Sequence, residues 1–213
     1  MLADRLQFAF TIMFHYLFPI GTMGLAPFIA WYNYRAMKTG EQRYADAARF
    51  WTKIFAVNFA IGVVTGIPME FQFGTNWAAF SAKAGPVIGP PLMMEGVYAF
   101  FLESVFLGVL LWGRDRVAPA LYLGSAVAVW LGSWLSGFFV IATDAWMQHP
   151  VGYVIASDGR IQLQSLAAVL TSPFAWWQWA HAITGAVVTG SFIVAGIGAY
   201  YLLAKRDVAF GRE

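Results

Sequence analysis

The chain contains no cysteine. Thiolate haem ligation, covalent c-type haem attachment, iron–sulfur clusters and cysteine zinc sites are therefore excluded. The same absence leaves the redox compartment undecided. Histidine is also scarce. His15, His149 and His181 are the whole supply, so two bis-histidine haem sites cannot be built from this chain. Charge is short too, with Asp, Glu, Lys and Arg at 11% against about 25% in soluble domains. A P-loop, a GxGxxG turn, a Ser–His–Asp order and an HExxH helix are all missing, and no basic patch suits nucleic acid. There is no internal repeat and no low-complexity tract.

What remains is apolar. Over 213 residues, 60% are hydrophobic and 18% aromatic. A membrane-crossing helix needs about 20 mostly apolar residues. Five stretches qualify, at about 9–32, 51–73, 91–112, 119–142 and 179–203. The fold class expected is an all-α membrane protein, one transmembrane domain over 1–213 with a bundle of about five helices. The separators 35–50, 74–90 and 113–119 have loop character, and 143–178 is the longest connector. The short 113–119 link makes the third and fourth spans antiparallel neighbours. The first apolar run is too long for a signal-peptide core of about 7–15 residues, and Asp4 sits where that signal would be basic.

Charge placement gives an orientation. Ten of the thirteen Lys and Arg residues fall on one side: Arg35, Lys38, Arg43, Arg49 and Lys53, then Arg114 and Arg116, then Lys205, Arg206 and Arg212. The other side holds Arg5, Lys83 and Arg160. Cytoplasmic loops collect Lys and Arg, which predicts a cytoplasmic C-terminus and an N-terminus outside. Trp176, Trp177 and Trp179 precede the fifth span, where interfacial tryptophans belong. Ser172–Pro173 reads as a helix start.

On this orientation, His15, Glu70, Glu95, Asp144 and His181 all fall near the outer ends of their spans. Glu103 departs. As an α-helix, eight residues put it about 12 Å deeper than Glu95 and about 80° around. Ionisable groups inside a membrane are costly, and face a bundle interior, a water path or a partner. Each has a plainer role open to it. Glu70 and Asp144 can reach headgroup water, and a lone span histidine more often bonds a neighbouring helix than a ligand. Pro19 and Pro68 loosen the helix at His15 and just before Glu70. After His181 come Gly185, Gly190, Gly196 and Gly198. Such a surface admits another helix, as is usual, or a flat macrocycle.

Four stretches carry a resemblance: RLQFAFTIMFHYLFP (5–19), FWTKIFAVNFAIGVVTGIPMEFQFGTNW (50–77), PLMMEGVYAFFLES (91–104) and WMQHPVGY (146–153). In order and spacing they resemble subunit I of cytochrome bd-type quinol oxidases. The long Gln-rich connector leans toward the cyanide-insensitive branch. The resemblance implies a multi-pass subunit of the bacterial inner membrane that oxidises quinol and reduces dioxygen to water, with protons taken from the cytoplasm. It implies a low-spin haem b, a high-spin haem b and a haem d, or a further haem b in its place. His181 matches the low-spin haem ligand. His15 matches an axial histidine of one high-spin haem. Glu95 matches a carboxylate at the high-spin pair, open as an iron ligand. Glu103 and Ser104 match polar groups on a proton route. Arg5 matches a basic residue beside haem propionates.

The partners implied are a smaller membrane subunit II, with room for a small single-span subunit, besides quinol, dioxygen and lipid. The family's subunit I is about twice this length. The quinol-binding loop, the later helices and the methionine opposite His181 are expected beyond residue 213, which makes the chain a fragment or a short form. Two other classes stay open at this point. One is a haem-free proton-coupled carrier or scaffold using Glu95 and Glu103; the other is a non-catalytic haem electron carrier.

Overall fold

A computed structural model of the chain describes residues 2–212. The long helices are α1 (Leu2–Thr39), α2 (Gln42–Gly74), α3 (Ala78–Met94), α4 (Phe101–Trp112), α5 (Pro119–Gln148) and α7 (Pro173–Leu203). A π-helical segment, Glu95–Phe100, joins α3 to α4 without a break. Between α5 and α7 lie the strands β1 (Tyr153–Ile155) and β2 (Ile161–Leu163) and the short helix α6 (Leu166–Leu170). The last element is α8 (Val208–Gly211). Five helical segments are long and apolar enough to cross a membrane, counting α3 to α4 as one. Each contains one of the five spans read from the sequence.

The helices overrun the hydrocarbon. At 1.5 Å rise per residue, the 38 residues of α1 reach about 57 Å, against a core about 30 Å thick. The largest difference from the sequence reading is at 74–90. Its Gly- and Ala-rich composition suggests a loop, but the chain is helical from Ala78 onward. Burial explains this. Ala84, Val87 and Ile88 form a cluster with Trp146 and Val169, against which Tyr153, Ile161 and Leu163 of the hairpin pack. The connector thus covers α3 and supplies the apolar surface that outweighs the low helix propensity of Pro86, Pro90 and Pro91.

The main core lies toward the Lys- and Arg-rich end. It gathers Leu25, Ile29, Tyr32, Trp51, Phe55 and Val129 from α1, α2 and α5. Arg35 adds a bond from its guanidinium to the Tyr44 hydroxyl at 2.8 Å, and Arg114 donates to the Ala45 carbonyl at 3.1 Å. At the opposite end the packing of α1 and α2 thins. No buried residue occurs in α1 before Gly21 or in α2 after Phe55. Those two half-helices still pair antiparallel, because Asn58 donates to the Phe18 carbonyl at 2.7 Å.

One backbone carbonyl freed by proline finds its partner on a neighbouring helix. Pro27 cannot donate to the Met23 carbonyl, and the indole N–H of Trp134 does so instead, at 3.0 Å. The Trp134 carbonyl in turn accepts from the Trp179 indole at 3.0 Å. This relay ties α1 to α5 and α5 to α7. Pro173 stands in the first turn of α7, as Ser172–Pro173 suggests, although the Ser172 side chain makes no capping bond.

α1 crosses α7 at glycine. A Cβ on Gly24 would collide with the Ala186 carbonyl oxygen, and one on Gly190 with the Gly24 carbonyl oxygen. Both obstacles are backbone. Gly24→Ala is expected to cost about 1–3 kcal/mol through forced separation of the helices, read as a lower Tm in detergent. Gly124→Ala on α5 meets nothing within 4 Å and should be neutral or stabilising by about 0.4–1 kcal/mol.

Candidate functional site

The two glutamates of the third span define the site's geometry. Two α-helical turns take about 7.2 residues. A π turn bonds i to i+5 and absorbs an extra residue, so Glu95 and Glu103, eight apart, come round to the same face. The 80° separation inferred for an unbroken α-helix is therefore corrected. Both side chains reach α5. Ser136 donates to Glu95 Oε1 at 2.8 Å, and Ser133 donates to Glu103 Oε1 at 2.6 Å. Pro90 and Pro91, one turn before the interruption, withdraw two successive donors from the ladder of α3.

Glu103 is 4% exposed and Ser133 2%. Their close approach needs Gly132, where a Cβ would lie 2.9 Å from Leu102 Cδ2 and 3.2 Å from Glu103 Cβ. The Ser133 hydroxyl also sits 3.0 Å from the Val129 carbonyl. It has one proton for two acceptors. With Glu103 ionised, that proton points at the carboxylate. With Glu103 protonated, the acid donates to Ser133 and the serine proton turns to Val129. One side-chain arrangement serves both states. Ser104, next to Glu103, bonds instead to its own helix, donating to the Phe100 carbonyl at 2.7 Å.

Glu95 is half-buried and faces a cavity of about 490 Å³ that Glu70 also lines, together with Phe73, Ser81, Gly89 and Met93. That volume is within the about 300–1,000 Å³ of small-molecule and cofactor pockets. Glu70 lies one turn beyond Gly66 on α2, and the ring of His15 rests on Gly66, with Cε1 3.2 Å from where a Cβ would stand. His15 Nδ1 is 3.0 Å from the Thr65 hydroxyl. His15, Glu70 and Glu95 are thus drawn into one open end of the bundle.

His181 is not brought to them. It is exposed on α7, and a Cβ on Gly185, one turn on, would meet nothing within 4 Å. Gly190, by contrast, is spent on the contact with α1. Asp144 is half-buried and has partners within the chain: its Oδ2 accepts from Gln148 at 2.8 Å and from Gln178 of α7. Arg5 is exposed in the first turns of α1. Nearby, Phe8 packs edge-on against Trp77 with ring centres 5.1 Å apart. The Trp77 indole N–H is buried with no partner among the described residues.

A family model described as cytochrome bd terminal oxidase subunit I matches residues 3–213. The chain belongs to this family. Cytochrome bd ubiquinol oxidase subunit 1 of Bacillus subtilis (strain 168) is 39% identical over 212 residues, 98% of this chain and 44% of the relative. Cytochrome bd-II ubiquinol oxidase subunit 1 of Escherichia coli (strain K12) is 39% identical over 205 residues, 96% of this chain and 40% of the relative. The solved bd oxidase from Geobacillus thermodenitrificans superposes with a TM-score of 0.93 at 29% identity, covering 99% of this chain and 49% of that one. The chain spans less than half the length of these relatives. Membership in a bd oxidase family, with five apolar spans, makes it a multi-pass membrane protein.

Haem is the cofactor such a family implies, and the residues fit it. No three His, Asp or Glu side chains cluster for a bare ion among the described residues, whereas a haem iron asks only for axial donors because the macrocycle supplies the rest. His15 has one ring nitrogen occupied by Thr65 and the other to offer. His181 projects from a turn whose next glycine leaves a flat surface. The unpaired Trp77 N–H is a donor suited to a propionate.

Ser133, Ser136, Gly132, Thr65 and Trp77 escape a reading based on ionisable residues alone. The one signal for the first three is GSWLS (132–136), small polar residues spaced three apart in an apolar helix. Ser133→Ala leaves Glu103 buried without this hydroxyl and should cost about 1–3 kcal/mol; Ser133→Thr should cost less. Ser136→Ala should cost less than Ser133→Ala, since half-buried Glu95 can draw on water. Thermal unfolding of the detergent-solubilised protein measures all three.

Proposed function

We propose that this chain is the haem-bearing N-terminal portion of a quinol-oxidising, dioxygen-reducing oxidase subunit. It would work in the bacterial inner membrane beside a smaller subunit II, with room for a small single-span subunit. The observation that carries the reading is the pairing of Glu95 and Glu103 on one face of the π-interrupted helix, each held by a serine of α5. Glu95 opens to the cavity shared with Glu70, which is one turn along α2 from the Gly66 that His15 rests on. Glu103 is sealed behind it.

In this reading His181 holds the low-spin haem b, and His15 and Glu95 serve the high-spin pair, a haem b with a haem d or a second haem b. When bound, the haems supply electron transfer from quinol and reduction of oxygen. The chain's own residues position those groups and handle protons. Glu103 takes up a proton, exchanges its hydrogen bond with Ser133 as described, and passes the proton toward Glu95 and the cavity. Ser104 belongs to the same stretch, its hydroxyl spent on the helix at rest. Arg5 and Trp77 would offer donors to the propionates. The Lys- and Arg-rich end is cytoplasmic, which sets the N-terminus outside and draws protons from the cytoplasm.

The test is made in the full oxidase complex. Glu103→Gln should keep all haem bands and slow oxygen uptake on the order of 10²-fold; loss of the high-spin bands instead would make Glu103 a site residue and end the relay assignment. His181→Ala should delete the low-spin signal from the reduced-minus-oxidised spectrum without loss of assembly, because the ring is exposed. An unchanged spectrum would refute that ligand.

A further inference from the structure

Thr65 touches His15 in a way that constrains the ring's chemistry. Its hydroxyl lies 2.9 Å from the Ile61 carbonyl and 3.0 Å from the Gly62 carbonyl, both on its own helix. It lies 3.0 Å from His15 Nδ1. A hydroxyl has one proton and two lone pairs. Threonine in a helix typically spends that proton on the carbonyl three or four residues back, and here two such carbonyls are within reach. What it then presents to the ring is a lone pair, so Nδ1 must carry the hydrogen and donate. The imidazole is left with its lone pair on Nε2.

The surroundings hold this arrangement in register. Gly66 lets the ring edge lie against α2; a Cβ there would crowd Cε1 at 3.2 Å. The Asn58 bond to the Phe18 carbonyl, 2.7 Å long, fastens the same two helices about one to two turns deeper. Pro19 leaves the His15 carbonyl without its helical donor, so the ladder of α1 is interrupted at this point. The α1–α2 contacts therefore decide where the ring sits.

We propose that Thr65 is a positioning residue that fixes the tautomer and orientation of His15, keeping Nδ1 protonated and Nε2 available as the ligating nitrogen. Metal-bound histidines commonly donate their second N–H to such a partner, which raises the basicity of the ligating nitrogen. The proposal rests on the reading of His15 as an axial haem ligand.

The experiment compares Thr65→Val, Thr65→Ser and His15→Ala in the membrane-extracted oxidase complex. The readouts are haem content, the iron–histidine stretch of the ferrous high-spin haem by resonance Raman, and its midpoint potential by spectroelectrochemical titration. Thr65→Val should retain haem, lower the stretching frequency and raise the potential, because the imidazole loses a hydrogen-bond acceptor and becomes a weaker donor. Thr65→Ser should restore both. Thr65→Ala supplies the same comparison where the valine variant fails to assemble. An unchanged stretch and potential in Thr65→Val, with the high-spin band abolished in His15→Ala, overturns the proposal and spares the ligand reading. Retention of every haem band in His15→Ala overturns the ligand reading itself, and the proposal with it.

Discussion

A carboxyl group removed from water must find its partners within the chain, and the contact of Glu103 with Ser133 is where this structure meets that demand. Much else follows from it. α5 has to approach α4 closely, which requires Gly132. The Glu95–Phe100 segment has to take an extra residue into its turn, so that Glu95 reaches Ser136 on the same α5 face. An isolated polar side chain would be a defect in such a helix. Two of them, matched to two serines, become a paired contact.

The same logic governs the backbone. Each proline inside a span strips a donor from a carbonyl that has no water to turn to. At Pro27 the answer is an indole from α5, and that indole's own carbonyl is then used by α7. Such bonds cross between helices, so they fasten the bundle while they satisfy it. Together with the glycine crossing of α1 and α7, they tie α1, α5 and α7 together through the middle of the bundle.

The opposite end is built differently. α1 before Gly21 and α2 after Phe55 bury nothing fully and hold to each other through a few polar contacts. His15, Thr65, Gly66, Glu70 and the cavity beside Glu95 all belong to this looser half. Close packing excludes large groups, and a site for a bulky cofactor needs space between helices that remain in fixed register. A dense core at one end and a loosely packed but pinned α1–α2 pair at the other provide both.

The count of spans, their approximate limits and the family were legible in the sequence. Long apolar runs admit few structures in a membrane, and motifs such as MEFQFGTNW with EGVYAFFLES are specific. The ionisable residues His15, Glu95, Glu103 and His181 stood out for a related reason, since a charge in an apolar run has few explanations. The helix over 78–90 did not stand out. Its prolines resemble loop punctuation, and only the connector folding over Val87 and Ile88 makes it helical. Nor did the shared face of Glu95 and Glu103, because a π turn leaves no periodic trace and an α-helical wheel misplaces everything across it. Ser133, Ser136 and Thr65 are ordinary in composition. They acquire meaning only from the residue each one faces across a helix–helix contact, and that is settled by tertiary packing.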